Sequence, residues 1–419
     1  MNARERVIAA IEHREPDRVP IDLGSTPSSG ISAIAYAGLK RHLGLESRGH
    51  TRVYDVVQQL AQPEDFILDR LGIDALDIGR TFNRADSDWY DITMVDGTAA
   101  QYPRWFHPEK LPDGSFVARQ HGVEIARMPA GGTFFDQSVH PYLDDYPTEF
   151  SRLGDAMGQV LWAALVHSPW DHAGDPDFWP TLRQNALALR QSSDRALMVV
   201  IGCNLFEWGT FLRRVDGFLC DLLAEPKKVE ALLDALMEKH LAALQKVCQY
   251  VGDVADIVRF GDDLGMNGGP FMSPELYHRF FKPRHSQLCA YVKKHSKMKT
   301  FLHSCGSIRV LLPDLIEAGF DVINPVQTNC RDMEAAGLKR DFGRDICFWG
   351  GGCDTQQVLN KATPGEVRRH VLERLEIFAP GGGFVFNTVH NILPDVPPEN
   401  IVAMFEAVHE FSGTGNSCS

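Results

Sequence analysis

The sequence predicts a single (β/α)8 TIM barrel with a β-rich capping insertion, on three observations. Eight short apolar or β-branched runs recur along the chain, and amphipathic helical patterns lie between most of them. A buried strand that alternates with a helix is the pattern of a parallel sheet, and eight such units suffice to close the sheet into a ring. The competing open, doubly wound sheet lacks its usual marks: no glycine-rich dinucleotide loop follows the first run, and no Walker-type lysine loop occurs in the chain.

The runs span 18–25, 74–79, 196–205, 256–265, 298–306, 321–327, 346–353 and 384–391. Helical periodicity predicts helices at 33–43, 55–71, 215–251, 274–294, 308–318 and 364–378. A last helix, 398–411, starts with Pro397-Pro398-Glu399-Asn400, as a helix N-terminus should. Between the second and third runs the rhythm breaks, and residues 86–194 read as an insertion. Asp96-Gly97, Pro112-Asp113-Gly114 and the alternating Phe116-Val117-Ala118-Arg119 predict β-hairpins over 86–137. Residues 142–194 read as more helical and hold Trp162, Trp170 and Trp179, which are expected in the core. The expected organisation is one barrel domain over 1–419, with 86–194 either a cap over the barrel mouth or a decorative edge sheet.

Charge and composition exclude several classes of function. Lys and Arg number 42 against 55 Asp and Glu, a formal charge of −13, so there is no general attraction to nucleic acid or anionic membranes. No segment approaches the roughly 20 apolar residues of a membrane span, and no signal-type apolar core follows the N-terminus. A cytoplasmic protein is expected. The nine cysteines are odd in number and scattered, which suits free thiols with one or two metal ligands better than a disulfide framework.

In such a barrel the chemistry sits at the C-terminal ends of the strands, where the βα loops converge. The fifth run ends in His303-Ser304-Cys305-Gly306. Residues two apart on a strand share a face, so His303 and Cys305 offer an imidazole and a thiolate side by side, a pair that suits zinc. His390, at the end of the eighth run, and Cys353, at the end of the seventh, compete as third ligand. The fourth run ends in Asp262 and Asp263; being adjacent, only one can face the barrel axis, so one should meet substrate or an active-site histidine while the other caps the loop. Asn204 and Glu207, just past the third run, are candidates for lining the mouth and touching substrate.

Several motifs carry a family resemblance. They are Arg4-Glu5-Arg6-Val7-Ile8-Ala9-Ala10-Ile11 with Glu15-Pro16-Asp17-Arg18-Val19-Pro20, Gly261-Asp262-Asp263-Leu264-Gly265 followed by Ser273-Pro274, and Leu302-His303-Ser304-Cys305-Gly306. The closing block is Gly382-Gly383-Phe384 through His390-Asn391-Ile392 to Pro397-Pro398-Glu399-Asn400-Ile401. Together they resemble the uroporphyrinogen decarboxylase superfamily across the chain, except for 86–194. The metal-free decarboxylases of that superfamily carry an N-terminal Arg-Gln-Ala-Gly-Arg motif that is not found here. The His-x-Cys pair is closer to the zinc-dependent, cobalamin-linked methyltransferases. In those enzymes a third ligand, usually cysteine, lies ahead of Pro-Pro-Glu-Asn, and counting back from Pro397 puts His390 there, a departure from the family pattern.

The resemblance implies Zn2+ held by His303, Cys305 and His390, with Asp262 and Asp263 as catalytic carboxylates. It also implies cobalamin carried by a separate corrinoid protein, and a small-molecule methyl donor or acceptor such as a methyl ether (O-demethylation) or thiol. The chain has no Asp-x-His-x-x-Gly motif of its own for holding the corrinoid. Two rivals remain: metal-free decarboxylation of a porphyrinogen-like polycarboxylate, for which Arg18, Arg213 and Arg214 are available, and a non-catalytic zinc- or corrinoid-binding protein.

Overall fold

Seven parallel strands run side by side in the order Phe384–Val385, Cys347–Trp349, Val322–Asn324, Lys299–His303, Ile257–Gly261, Ala196–Gly202 and Ala75–Asp77, in a computed structural model that describes residues 1–161 and 167–413. Each strand falls inside one predicted run. The remaining run closes the ring through residues 20–22. Ile21 bridges Phe386 in parallel; the Phe386 N–H donates to the Pro20 carbonyl at 2.8 Å and the Asp22 N–H to the Phe386 carbonyl at 2.9 Å. On the other flank the Asp74 N–H donates to the Ile21 carbonyl at 2.8 Å. The expected (β/α)8 barrel is therefore the architecture, with additional antiparallel sheets.

Period-two alternation divides the strand side chains. Ala196, Met198, Val200, Ile257, Phe301, Val322, Cys347, Trp349 and Val385 fill the barrel. Leu197, Val199, Val258, Phe260, Leu302, Ile323 and Phe348 belong to the larger core under the outer helices. The floor is closed by helix Ala3–Ile11, whose Val7, Ala10 and Ile11 join the interior cluster. Asn2 and Glu5 cap this helix reciprocally. It lies across the N-terminal strand ends: the Arg4 N–H donates to the Asp194 carbonyl, and the Gly383 N–H to the Ala10 carbonyl.

Helices Ala33–His42, Pro364–Phe378 and Pro398–Phe411 form where periodicity places them. Four expectations are corrected. The helix expected over 55–71 survives only as Asp65–Leu71; upstream, Leu60–Ala61 pairs with Ile31–Ser32 on one side and Val53–Asp55 on the other in a small antiparallel sheet. Asp55 accepts from the Val57 and Gln58 N–H groups, which turns the chain, and Pro63 has no N–H for a helix interior. The stretch 215–251 divides into Val215–Ala224 and Pro226–Val251 at a proline, and 274–294 into Pro274–Phe280 and Lys282–His295 beside Pro283. Helix 308–318 opens as a tight turn, Arg309–Leu311, before Leu312–Ala318.

Between the second and third barrel strands, Trp89–Thr93 pairs with Ala99–Pro103 as a hairpin, and a four-stranded antiparallel sheet follows over 109–137. Helices Leu153–Met157 and Phe178–Ser192 come next. Backbone bonds tie this segment to loops leaving the C-terminal strand ends: Gln101 N–H to Thr51, Phe135 N–H to Val57 and Tyr142 N–H to Leu212. Trp170 is buried and donates to the Val200 carbonyl at 2.6 Å, while Trp179 packs against it edge-on. Trp162 and Cys418 lie outside the described residues. Among the described residues the cysteines are free, and no helix is long and apolar enough to cross a membrane.

Candidate metal centre

His303 is the last residue of the fifth strand in chain order and points inward on the alternation set by Phe301. Its Nδ1 lies 2.8 Å from Asn324 Oδ1. The Asn324 amide is oriented by its own contacts: Nδ2 donates to the Trp349 carbonyl at 2.8 Å, and Oδ1 also accepts from Ser28 Oγ at 2.9 Å. The oxygen facing His303 is thus an acceptor, so Nδ1 carries the proton and Nε2 keeps its lone pair free. That Nε2 lies 3.4 Å from Cys305 Sγ. Just beyond, Gly306 adopts φ +88° with the Gly265 backbone so close that a Cβ would sit 2.3 Å from it. Glycine therefore lets the chain turn sharply right after the thiol.

His390 arrives from the loop after the eighth strand, its ring centroid 5.8 Å from that of His303. One ligand atom from each of His303, Cys305 and His390 can be chosen so that all lie within 4.8 Å of one another, the one such group of three among the described residues. His303 is buried and the other two are half-buried. Burial above all, and then the nearby Arg259 charge, pull the His303 pKa down to about 3. Burial also lowers that of His390. Both imidazoles are thus neutral at physiological pH, the form that ligates metal. Burial, then Asp263 and Glu207, push the Cys305 thiol well above its usual range, so an ion would have to displace its proton. Two imidazoles and one thiol form a donor set that suits zinc and would leave a fourth position open; it does not suit the oxygen-seeking Ca2+ or Mg2+. Cys353, the competing ligand, is fully buried and joins no such group.

The adjacent carboxylates divide their work. Asp262 is fully buried and faces away from the mouth. It accepts from the Phe206 and Glu207 N–H groups at 3.1 and 2.9 Å, capping helix Phe206–Arg213, and lies 3.2 Å from His285 Nε2. Asp263 is half-buried, accepts from the Cys305 N–H at 2.9 Å and lies 3.5 Å from His303 Nε2. The Asn204 side-chain amide donates to the Glu207 carboxylate, and His240 Nε2 lies 2.8 Å from the Asn204 carbonyl. Burial, then Asp263 and Asp262, raise the Glu207 pKa well above the carboxylate range.

Sequence reasoning missed three residues here. Asn324 ends the sixth strand but lies inside the 321–327 run, so the last residue of that run, Gln327, does not point to it. Arg259 sits at an inward position of the fourth strand, two residues before Gly261, and is buried. Tyr54, in the short strand Val53–Asp55 just ahead of the stretch expected to be helical, contributes a buried hydroxyl.

Residues 208–411 match the family model described as Uroporphyrinogen decarboxylase (URO-D). A uroporphyrinogen decarboxylase of Pseudoalteromonas translucida is 52% identical over 194 residues, 45% of this chain and 50% of that protein. One from Methylococcus capsulatus is 49% identical over 101 residues, 24% of this chain and 27% of that protein. The matched stretches thus span half or less of these curated relatives. A solved methyltransferase from Methanosarcina mazei shares the fold, with a TM-score of 0.58 and 17% identity, covering 98% of this chain and 99% of that one. Residues 208–411 are thus similar to the uroporphyrinogen decarboxylase family, within a chain whose strands close an eight-membered ring.

Proposed function

We propose that this protein is a zinc-dependent methyltransferase that moves a methyl group between a small substrate and cobalamin on a partner corrinoid protein. The observation that carries the reading is the grouping of His303, Cys305 and His390, drawn from two strand ends, within 4.8 Å at the barrel mouth. Zinc bound there would supply Lewis acidity, either activating a thiol that accepts methyl or polarising the oxygen of a methyl ether that gives one up. The protein's own groups complete the reading. Asn324 holds the His303 tautomer, and Asp263 fixes the backbone at Cys305. Glu207, kept protonated and half-exposed, has a proton to give to a departing oxygen.

The shared fold with a protein named a methyltransferase is in keeping with this reading. The polycarboxylate rival draws less support. Arg18 lies at the opposite end of the barrel on Asp74, Arg213 is held by Asp221, and Arg214 pairs with Asp216 at the surface. The test is metal analysis of the purified chain together with methyl transfer to cob(I)alamin from methoxyaromatics, methylated amines, thiols and methyl halides. About one zinc per chain and transfer that vanishes in His303→Ala are expected. A metal-free chain that decarboxylates a porphyrinogen would overturn the proposal.

A further inference from the structure

The Arg259 guanidinium is the feature of the mouth that the metal site leaves unexplained. Arg259 is only 6% exposed, and its Nε is a buried donor without a hydrogen-bond partner. It lies near enough to Glu207, Asp263, Cys305 and Tyr54 for their charges to act on it. Among the described residues it nevertheless forms no ion pair. Neither neighbouring acid bonds to it: Asp263 takes the Cys305 N–H, and Glu207, kept protonated, takes the Asn204 amide. Tyr54 Oη and His167 Nε2 are likewise buried without partners, and their rings meet edge-on at 5.7 Å.

The local sequence makes room for this unpaired cation. Arg259 and Gly261 face the same side of the strand, and a Cβ at Gly261 would lie 2.8 Å from Arg259 Nη1 and 2.9 Å from Asn204 Nδ2. A side chain at 261 would occupy the space the guanidinium now fills. A buried guanidinium whose N–H groups find no hydrogen-bonded partner is unfavourable unless something pairs with it. A planar guanidinium with a free Nε edge matches a carboxylate, which accepts two parallel hydrogen bonds. A single positive charge among neighbouring acids suits a monoanion better than a phosphate dianion.

We infer that Arg259 binds a carboxylate on the small-molecule substrate and so orients that substrate toward His303, Cys305 and His390. The inference rests on the reading of that cluster as the reaction centre, but the binding itself is testable without metal. The full chain, freed of metal by chelation so that zinc cannot hold the anion, is titrated calorimetrically with benzoate and benzamide, and with propanoate and propanamide. In each pair the carboxylate is expected to bind at least about tenfold tighter than the amide, as a charge-assisted pair would. Arg259→Met should weaken carboxylate binding about 10- to 100-fold and abolish the discrimination while leaving the zinc stoichiometry unchanged. Gly261→Ala, which displaces the guanidinium, should weaken it in the same direction and serves if Arg259→Met does not fold. Equal binding of acid and amide in both pairs, or undiminished carboxylate binding in a folded Arg259→Met, overturns the inference. Discrimination in a chain that never takes up zinc sinks the methyl-transfer proposal and leaves the carboxylate site standing.

Discussion

The two ends of this barrel treat buried charge in opposite ways. At the floor, Asp74 accepts from Arg6 Nη1 at 2.7 Å, from both Arg18 Nη atoms at 2.8 Å and from the Ile21 N–H at 2.9 Å. Asp256 is surrounded in the same way by Arg4, Arg190 and the Leu197 N–H. At the mouth, Arg259 Nε, Tyr54 Oη and His167 Nε2 are buried donors or acceptors without partners. Buried polar groups are normally satisfied, so three unmet ones at one end of the ring point to a place where something else binds. One end of the ring is finished for stability, and the other is left incomplete for a ligand.

The sharpest break in this contrast is Asp74→Ala, which removes the hub of the floor network. It should cost about 3–5 kcal/mol in urea denaturation, because Arg18 loses its carboxylate partner and the buried Arg6 keeps only Asp17. Zinc uptake by the fraction that folds should not change. The converse variants are His303→Ala, Cys305→Ser and His390→Ala. Each should lose most bound zinc by elemental analysis, while the metal-free chain keeps an unfolding midpoint nearer wild type than Asp74→Ala does. A full zinc equivalent in any of them places the site elsewhere.

His240, buried beneath the mouth against the Asn204 carbonyl, sharpens the comparison through pH. Burial lowers its pKa to about 4 from an ordinary 6.5. The unfolded chain therefore binds the extra proton first. The associated stability is complete above pH 6.5 and is lost as the pH falls toward 4, about 3 kcal/mol in all. His240→Gln should flatten the urea midpoint across that window; an unchanged slope would assign the acid sensitivity to other groups.

A smaller effect belongs to Asn324. Asn324→Ala should weaken zinc about 10- to 100-fold by releasing the His303 ring, as the loss of such outer partners does. The smallest is Cys353→Ser, where no change in zinc content is expected. The cobalt-substituted protein should show the charge-transfer intensity of one thiolate; a second that disappears in Cys353→Ser would exchange His390 for Cys353.

Much of this was legible in the sequence because it is local. Eight inward-facing runs, the last two helices with their proline starts, and the shared face of His303 and Cys305 follow from period-two and period-3.6 patterning and from cap chemistry. The segment 51–61 was illegible because its valines and Leu60 satisfy a helical pattern as readily as short strands. Only the pairing of Leu60–Ala61 with Ile31–Ser32 and with Val53–Asp55 decides between them. Asp262 and Asp263 could be assigned opposite directions from their spacing. Which of them meets the site depends on the strand register, with Gly261 beside His303 and His303 beside Asn324. Arg259 reads as an anomaly in an apolar strand, and its lack of a partner is visible only once the carboxylates around it are seen bonded elsewhere. The sequence by itself determined the ring of strands and the pair of ligands two residues apart. The tertiary structure alone brought His390 to that pair and left Arg259 unmatched, because ring closure sets distances between strand ends far apart in the chain, and no local pattern encodes those distances.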